Sequence, residues 1–202
     1  MKINIWGKLS SKYDKLWVQK YSLSPSRSKI IELIGSSSDA FSLLDVGCAT
    51  GQLLCEIRAK YPQARLLGID KSQDMIKLAK LKSADIEFIC AASEDFNVQE
   101  KFRFITCCHS FPYYLDKERV LQNMAQFLEN GGKAIFIQAS INSFYDRFVM
   151  SIIEKTAEKA DYFSKEEFCR LAENCFIVEE IFTIKEKWFM PSICGFILGE
   201  KL

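Results

Sequence analysis

The sequence predicts an α/β domain built on a doubly wound, mostly parallel seven-stranded sheet, with helices on both faces and a reversed last strand. Three observations predict it. Short apolar runs at 43–46, 66–69, 86–90, 104–108 and 134–137 alternate with stretches of helical periodicity, as parallel strands joined by helical crossovers do. The first run ends in a glycine-rich turn that leads straight into a helix. Two further runs, 176–188 and 192–199, are separated only by a short link containing Met190 and Pro191. A parallel crossover needs about a dozen residues or more, so these two must pair antiparallel.

Composition fits one such domain. Of 202 residues, 49% are hydrophobic and 26% charged, enough to bury a full-sized core. The formal net charge is +1, which gives no electrostatic reason to expect a phosphate backbone or an anionic membrane as partner. The first residues mix charges with aromatics and lack the apolar run of a signal peptide, and no later stretch approaches a membrane span. A soluble, cytoplasmic protein is therefore expected. The eight cysteines are read as free thiols, because Cys48, Cys55, Cys90, Cys107 and Cys108 fall in or beside runs that read as buried strands.

Residues 1–24 read as an N-terminal arm carrying Trp6, Tyr13, Trp17 and Tyr21. Ser24 and Pro25 then provide an N-cap and a first helical residue, and Ile30, Ile31, Leu33 and Ile34 give that helix its apolar face. Residues 35–39 form a loop before the first strand. Leu53, Leu54 and Ile57 mark a helix that stops at Tyr61-Pro62. After the second strand Ser72 can cap a helix containing Met75, Ile76, Leu78 and Ala79. After the fourth, Asp116 can cap one containing Val120, Leu121, Met124, Phe127 and Leu128, which Gly131-Gly132 would end. Phe144, Tyr145, Phe148, Val149, Ile152 and Ile153 keep helical spacing after the fifth strand, and Ser164 with Glu167 makes a capping box for a last helix.

The chemistry concentrates at the carboxyl end of the first strand, where open α/β sheets bind ligands. Residues 43–51, LLDVGCATG, deliver Asp45 to a turn in which Gly47 and Gly51 let backbone approach a ligand closely. The second strand ends in Asp70, spaced to accept hydrogen bonds from the two hydroxyls of a ribose. A dinucleotide site is a weaker match, since GCATG lacks the third glycine of G-x-G-x-x-G.

In the acidic residue before the glycine loop, the Asp after strand two and the ASEDF segment at 92–96, the chain resembles the class I S-adenosylmethionine-dependent methyltransferases of small-molecule type. The resemblance spans about residues 40–140. It implies S-adenosylmethionine as cofactor. Asp45, Gly47, Cys48, Ala49 and Gly51 would lie along its methionine and ribose, with Asp70 on the ribose. Lys71 and Met75 would flank the adenine, Ser93 and Glu94 would border its edge, and Cys108 would close the pocket from strand four. The chain departs from the family pattern at Ala49, where the middle glycine is expected, at Ala92, where an acid often meets the adenine amino group, and at Arg103, where an Asp is common. On this reading residues 1–202 are one domain: the arm, a cofactor-binding core at 40–140, a helical lid and connection at 141–175, and a closing strand pair at 176–202.

The acceptor end would be built from residues after strand four. His109, the only histidine, can serve as a base or simply hydrogen-bond the backbone. Tyr113 can orient a substrate or pack, and Tyr13 in the arm can close over the methionine end. Cys107 and Cys108 point to opposite faces of a strand, so no metal site is expected from them. The expected activity is methyl transfer to a small-molecule acceptor by a monomer or homodimer, with no nucleic acid or membrane partner. A non-catalytic S-adenosylmethionine-binding subunit and a nicotinamide-dependent oxidoreductase are the alternatives.

Overall fold

The computed structural model describes residues 14, 19–35, 40–154, 160–185 and 190–201. Its centre is a seven-stranded sheet of order β3-β2-β1-β4-β5-β7-β6. The strands are β1 (Ser42–Val46), β2 (Arg65–Asp70), β3 (Glu87–Cys90), β4 (Phe102–Cys108), β5 (Leu128–Ala139), β6 (Phe176–Ile184) and β7 (Ile193–Glu200). β1 pairs in parallel with β2 and β4, β2 with β3, and β4 with β5. β7 runs antiparallel to both β5 and β6, the reversal expected from the short link.

The helices are α1 (Ser24–Ile34), α2 (Gln52–Lys60), α3 (Gln73–Lys82), α4 (Lys117–Gln126), α5 (Phe144–Glu154) and α6 (Lys165–Ala172). Alternation of side chains along the buried strands feeds two cores. On one face Leu43, Leu66, Phe104, Ile135 and Ile137 meet Ile30, Ile34, Leu54, Ile57 and Ile76 of α1, α2 and α3. On the other, Leu44, Leu67, Ile105 and Phe136 meet Val120, Leu121, Met124 and Phe168 of α4 and α6. Phe168 ties this second core together, its ring centroid 4.1 Å from that of Phe196 and 5.2 Å from that of Phe136. Strand order reverses between β1 and β4, and the crevice at their carboxyl ends opens where the two crossovers part.

Ser72, Asp116 and Ser164 cap their helices as predicted, Ser164 within a full capping box with Glu167. Three local expectations are corrected. Ser24 is not an N-cap, because a π-helical turn, Gln19–Leu23, runs directly into α1 and puts Ser24 inside the helix. The helix after Asp116 ends at Gln126 instead of at Gly131-Gly132. Leu128, 1% exposed, pairs with Phe102 of β4, so the sheet takes residues whose spacing also suits a helix. Cys90 is exposed at the sheet edge rather than buried; all eight cysteines are unbridged. No helix among the described residues is long and apolar enough to cross a membrane.

Candidate functional site

The glycine loop is shaped by bonds to β2. Gly47 and Cys48 both donate their N–H to Ile69 O, at 2.8 and 2.9 Å, which folds the chain back over the end of β2. Asp70 then accepts from Ala49 N at 2.9 Å and from Ser72 N at 2.8 Å. One carboxylate therefore fixes both the loop after β1 and the entrance to α3. Burial pushes the Asp70 pKa up, while those two backbone bonds pull it down. Ala49 sits at φ +47°, in the left-handed region that the expected glycine would occupy freely. That conformation costs a non-glycine residue about 1–2 kcal/mol, against about 0.5–1 kcal/mol of extra unfolded-chain entropy for glycine. Ala49→Gly is accordingly expected to raise stability by about 0.5–1 kcal/mol. Urea denaturation checks this, and a loss of stability would show that the loop is not strained there.

Two adjoining cavities open on this loop. The larger, about 670 Å³, is lined by Gly47, Ala49, Asp70, Lys71, Met75, Ser93, Cys108, His109 and Tyr113 among others. The smaller, about 360 Å³, shares Gly47, Ala49 and Cys108 and adds Asp45, Cys48, Thr50, Gln52, Gln19 and Arg27.

The smaller cavity pairs a carboxylate, Asp45, with a guanidinium, Arg27. Asp45 is 3% exposed and accepts a 2.7 Å bond from Thr106 Oγ1. Burial raises its pKa to about 7, the Thr106 bond opposes the rise, nearby Asp70 adds to it and Arg27 opposes it. Arg27, 8% exposed, donates from Nε to Glu56 Oε1 and from Nη1 to Gln19 Oε1, both at 2.9 Å. Gln52 Oε1 is buried with no partner. A guanidinium, a carboxylate and an open amide oxygen in one recess suit a zwitterionic ligand end.

His109 follows directly on β4 at φ +61°, its N–H bonded to Ile137 O at 2.7 Å, and its Nε2 lies 2.8 Å from Ser26 Oγ of α1. Burial, with Arg27 nearby, lowers its pKa to about 4, so the ring is neutral at physiological pH. Tyr113 Oη lies 3.4 Å from Tyr162 Oη at the cavity wall. Tyr114, largely buried, also lines the larger cavity and donates to Ser110 Oγ at 2.9 Å.

Of the residues singled out in the sequence, Asp45, Gly47, Cys48, Ala49, Asp70, Lys71, Met75, Ser93, Cys108, His109 and Tyr113 line one cavity or the other. Gly51 and Glu94 line neither. Gly51 backs onto Phe88 and Ala79, and Glu94 Oε1 accepts from Leu115 N at 3.2 Å. Tyr13 lies outside the described residues. Its neighbour Asp14 accepts from Thr50 Oγ1 at 2.7 Å and pairs with Lys82 at 2.5 Å. Sequence reasoning passed over Ser26, Arg27, Gln19 and Gln52. The available signal was Arg27 itself, three residues before Ile30 and seven before Ile34, a charge on the buried stripe of α1.

A family model described as a methyltransferase domain matches residues 43–132. Malonyl-[acyl-carrier protein] O-methyltransferase 2 of Ilyobacter polytropus is 28% identical over 116 residues, 56% of this chain and 45% of that protein. The dTDP-4-amino-2,3,4,6-tetradeoxy-D-glucose N,N-dimethyltransferase of Saccharopolyspora spinosa is 31% identical over 137 residues, 65% of this chain and 54% of that one. The chain thus spans about half the length of these relatives. Among solved structures, the N-methyltransferase NodS from Bradyrhizobium japonicum, in complex with S-adenosylhomocysteine, superposes with a TM-score of 0.75 at 16% identity, covering 98% of this chain and 97% of that one. Residues 43–132 match the methyltransferase domain model, and the chain as a whole shares the Rossmann-like methyltransferase fold seen in NodS.

Proposed function

We propose that this protein transfers a methyl group from S-adenosylmethionine to a small-molecule acceptor, leaving S-adenosylhomocysteine. The observation that carries the reading is the pair of adjoining cavities at the β1/β4 switch point, one lined by Asp70, Met75 and His109, the other zwitterion-matched around Asp45 and Arg27. The named activities of the matched relatives and the S-adenosylhomocysteine in NodS support it. When bound, S-adenosylmethionine supplies a methyl group already activated by its sulfonium, so the protein's tasks are alignment and exclusion of water.

On this reading Asp70 holds the ribose with the lone pairs that Ala49 and Ser72 leave open. Lys71, Met75 and Ser93 bound the adenine, and Gly47 and Ala49 lie along the ribose and methionine. Arg27 receives the α-carboxylate, while Asp45 and Gln52 Oε1 receive the α-ammonium. Cys108 closes the wall between the two cavities. His109 and Tyr113 face the acceptor, and Tyr13 belongs to the covering arm. Unbridged cysteines fit a cytoplasmic location.

Calorimetric titration with S-adenosylmethionine, S-adenosylhomocysteine and NADH tests the proposal. Micromolar binding of the first two and none of the third is expected. Asp70→Ala should weaken both by about 1.5–3 kcal/mol, through lost charge-assisted bonds. A folded sample that binds neither S-adenosyl compound overturns the assignment, and unchanged affinity in the variant removes Asp70 from the site.

A further inference from the structure

Ser26 is wholly buried, and its hydroxyl has two neighbours, Ser22 O and His109 Nε2, each at 2.8 Å. A carbonyl oxygen can only accept, and a hydroxyl carries one proton. The proton must therefore point at Ser22 O, since the reverse arrangement would leave two lone-pair oxygens facing each other at 2.8 Å. The hydroxyl's remaining role toward the imidazole is to accept, so Nε2 carries the ring proton. Among the described residues Nδ1 makes no hydrogen bond, and it is absent from the sealed, partnerless polar atoms, while the ring lines the larger cavity.

We infer that Ser26 is a positioning residue that locks His109 as the Nε2–H tautomer, leaving the Nδ1 lone pair as the proton acceptor of the cavity for an acceptor bearing a neutral O–H or N–H group. This deepens the methyltransferase reading and rests on it for the acceptor, though the tautomer itself does not. The acceptor's O–H or N–H would donate to Nδ1. As that oxygen or nitrogen takes the methyl group with its lone pair and the methyl–sulfur bond breaks toward sulfur, the O–H or N–H bond breaks and its proton passes to Nδ1. The imidazolium then returns the proton to water. The ring's left-handed backbone and the bond from its N–H to Ile137 O hold it at the end of β4, so Ser26 supplies the remaining constraint, its rotation and protonation.

Because His109 is the only histidine, long-range ¹H–¹⁵N correlation spectra of ¹⁵N-histidine-labelled protein read its tautomer without assignment. The full chain, without added ligand, is expected to show one pure Nε2–H tautomer near neutral pH. Ser26→Ala should give a mixture, and Ser26→Thr, which keeps the hydroxyl, should restore the single form. An Nδ1–H or mixed tautomer in the wild-type protein overturns the inference, even if Ser26→Ala does not fold, and so does a pure Nε2–H signal in a folded Ser26→Ala. These spectra stand apart from the calorimetry, so failure of the tautomer and failure of S-adenosylmethionine binding are separate outcomes. For the acceptor class, a screen in which hydroxyl and neutral amine compounds are methylated, with Ser26→Ala lowering kcat at unchanged S-adenosylmethionine affinity, supports it. Turnover confined to acceptors with no proton on the methylated atom overturns it.

Discussion

Replacing Asp45 with Asn is expected to stabilise the ligand-free protein by up to about 4 kcal/mol at pH 8 and by almost nothing at pH 4. The carboxyl is buried and its pKa stands at about 7 in the folded state, against 3.8 in a solvated chain. Holding it ionised above pH 7 therefore works against folding by about three pK units, each worth about 1.4 kcal/mol. The sign follows from the protons bound. Between about pH 4 and 7 the folded chain binds more protons at this site than the unfolded one, so its contribution to stability is full below pH 4 and lost as pH rises to 7. An amide can keep the bond from Thr106 Oγ1 without the desolvated charge.

His109 works in the opposite direction over nearly the same window. Its pKa falls from 6.5 to about 4 on folding, so its contribution is present above 6.5 and lost as pH drops through 4. These two groups should largely cancel in the wild-type protein. Asp45→Asn should then lose stability steadily from pH 7 to pH 4, and its S-adenosylmethionine binding should fall at least tenfold for want of a carboxylate opposite the α-ammonium. Denaturant titrations at pH 4, 6 and 8 check the first part. Equal stability of the two proteins at pH 8 would mean that the Asp45 charge is better solvated than its burial implies.

Gly47→Ala should cost about 2–5 kcal/mol and remove ligand binding altogether. Gly47 lies at φ +80°, where a side chain is strained by about 1–2 kcal/mol. A Cβ there would also sit 2.4 Å from Ser110 Cβ and 2.6 Å from Tyr114 Oη. Neither can withdraw cheaply, since Ser110 Oγ donates to Val46 O at 2.9 Å and accepts from Tyr114 Oη at 2.9 Å. Overpacking of this kind adds about 1–3 kcal/mol. The midpoint of urea unfolding reports the loss, and a change under about 1 kcal/mol would show that the turn after β4 yields.

The difference between what was legible and what was not follows from range. Strands such as β1 and β2 declare themselves because both faces are buried and their residues must be apolar. Gly47, Ala49 and Asp70 could be placed because a strand end fixes where its next few residues stand. The start of α1 could not be read from Ser24, since what precedes a helix decides whether its first amides need a cap, and here a π-helical turn already serves them. Phe127 and Leu128 satisfy helical and strand spacing alike, and only the pairing of Leu128 with Phe102 decides between them. Arg27 and Ser26 escaped for the same reason. Their roles depend on which side of α1 covers the crevice, a tertiary fact with no local pattern. Glu94 shows the converse, a polar residue at the expected place whose side chain is occupied by Leu115 N.

The reversed strand also bears on how the protein is made. β7 comes last in sequence among the described strands yet lies between β5 and β6, burying Cys194, Phe196 and Leu198. On the ribosome β5 and β6 emerge before the strand that joins them. Until β7 follows, β5 keeps an open hydrogen-bonding edge, Phe168 lacks its stacking partner, and β6 has nothing to pair with. A nascent chain paused before Ile193 thus carries the nearly complete β1–β5 part of the sheet beside an unsealed apolar flank. That is the form in which it is most exposed to strand-to-strand aggregation and most in need of chaperone cover.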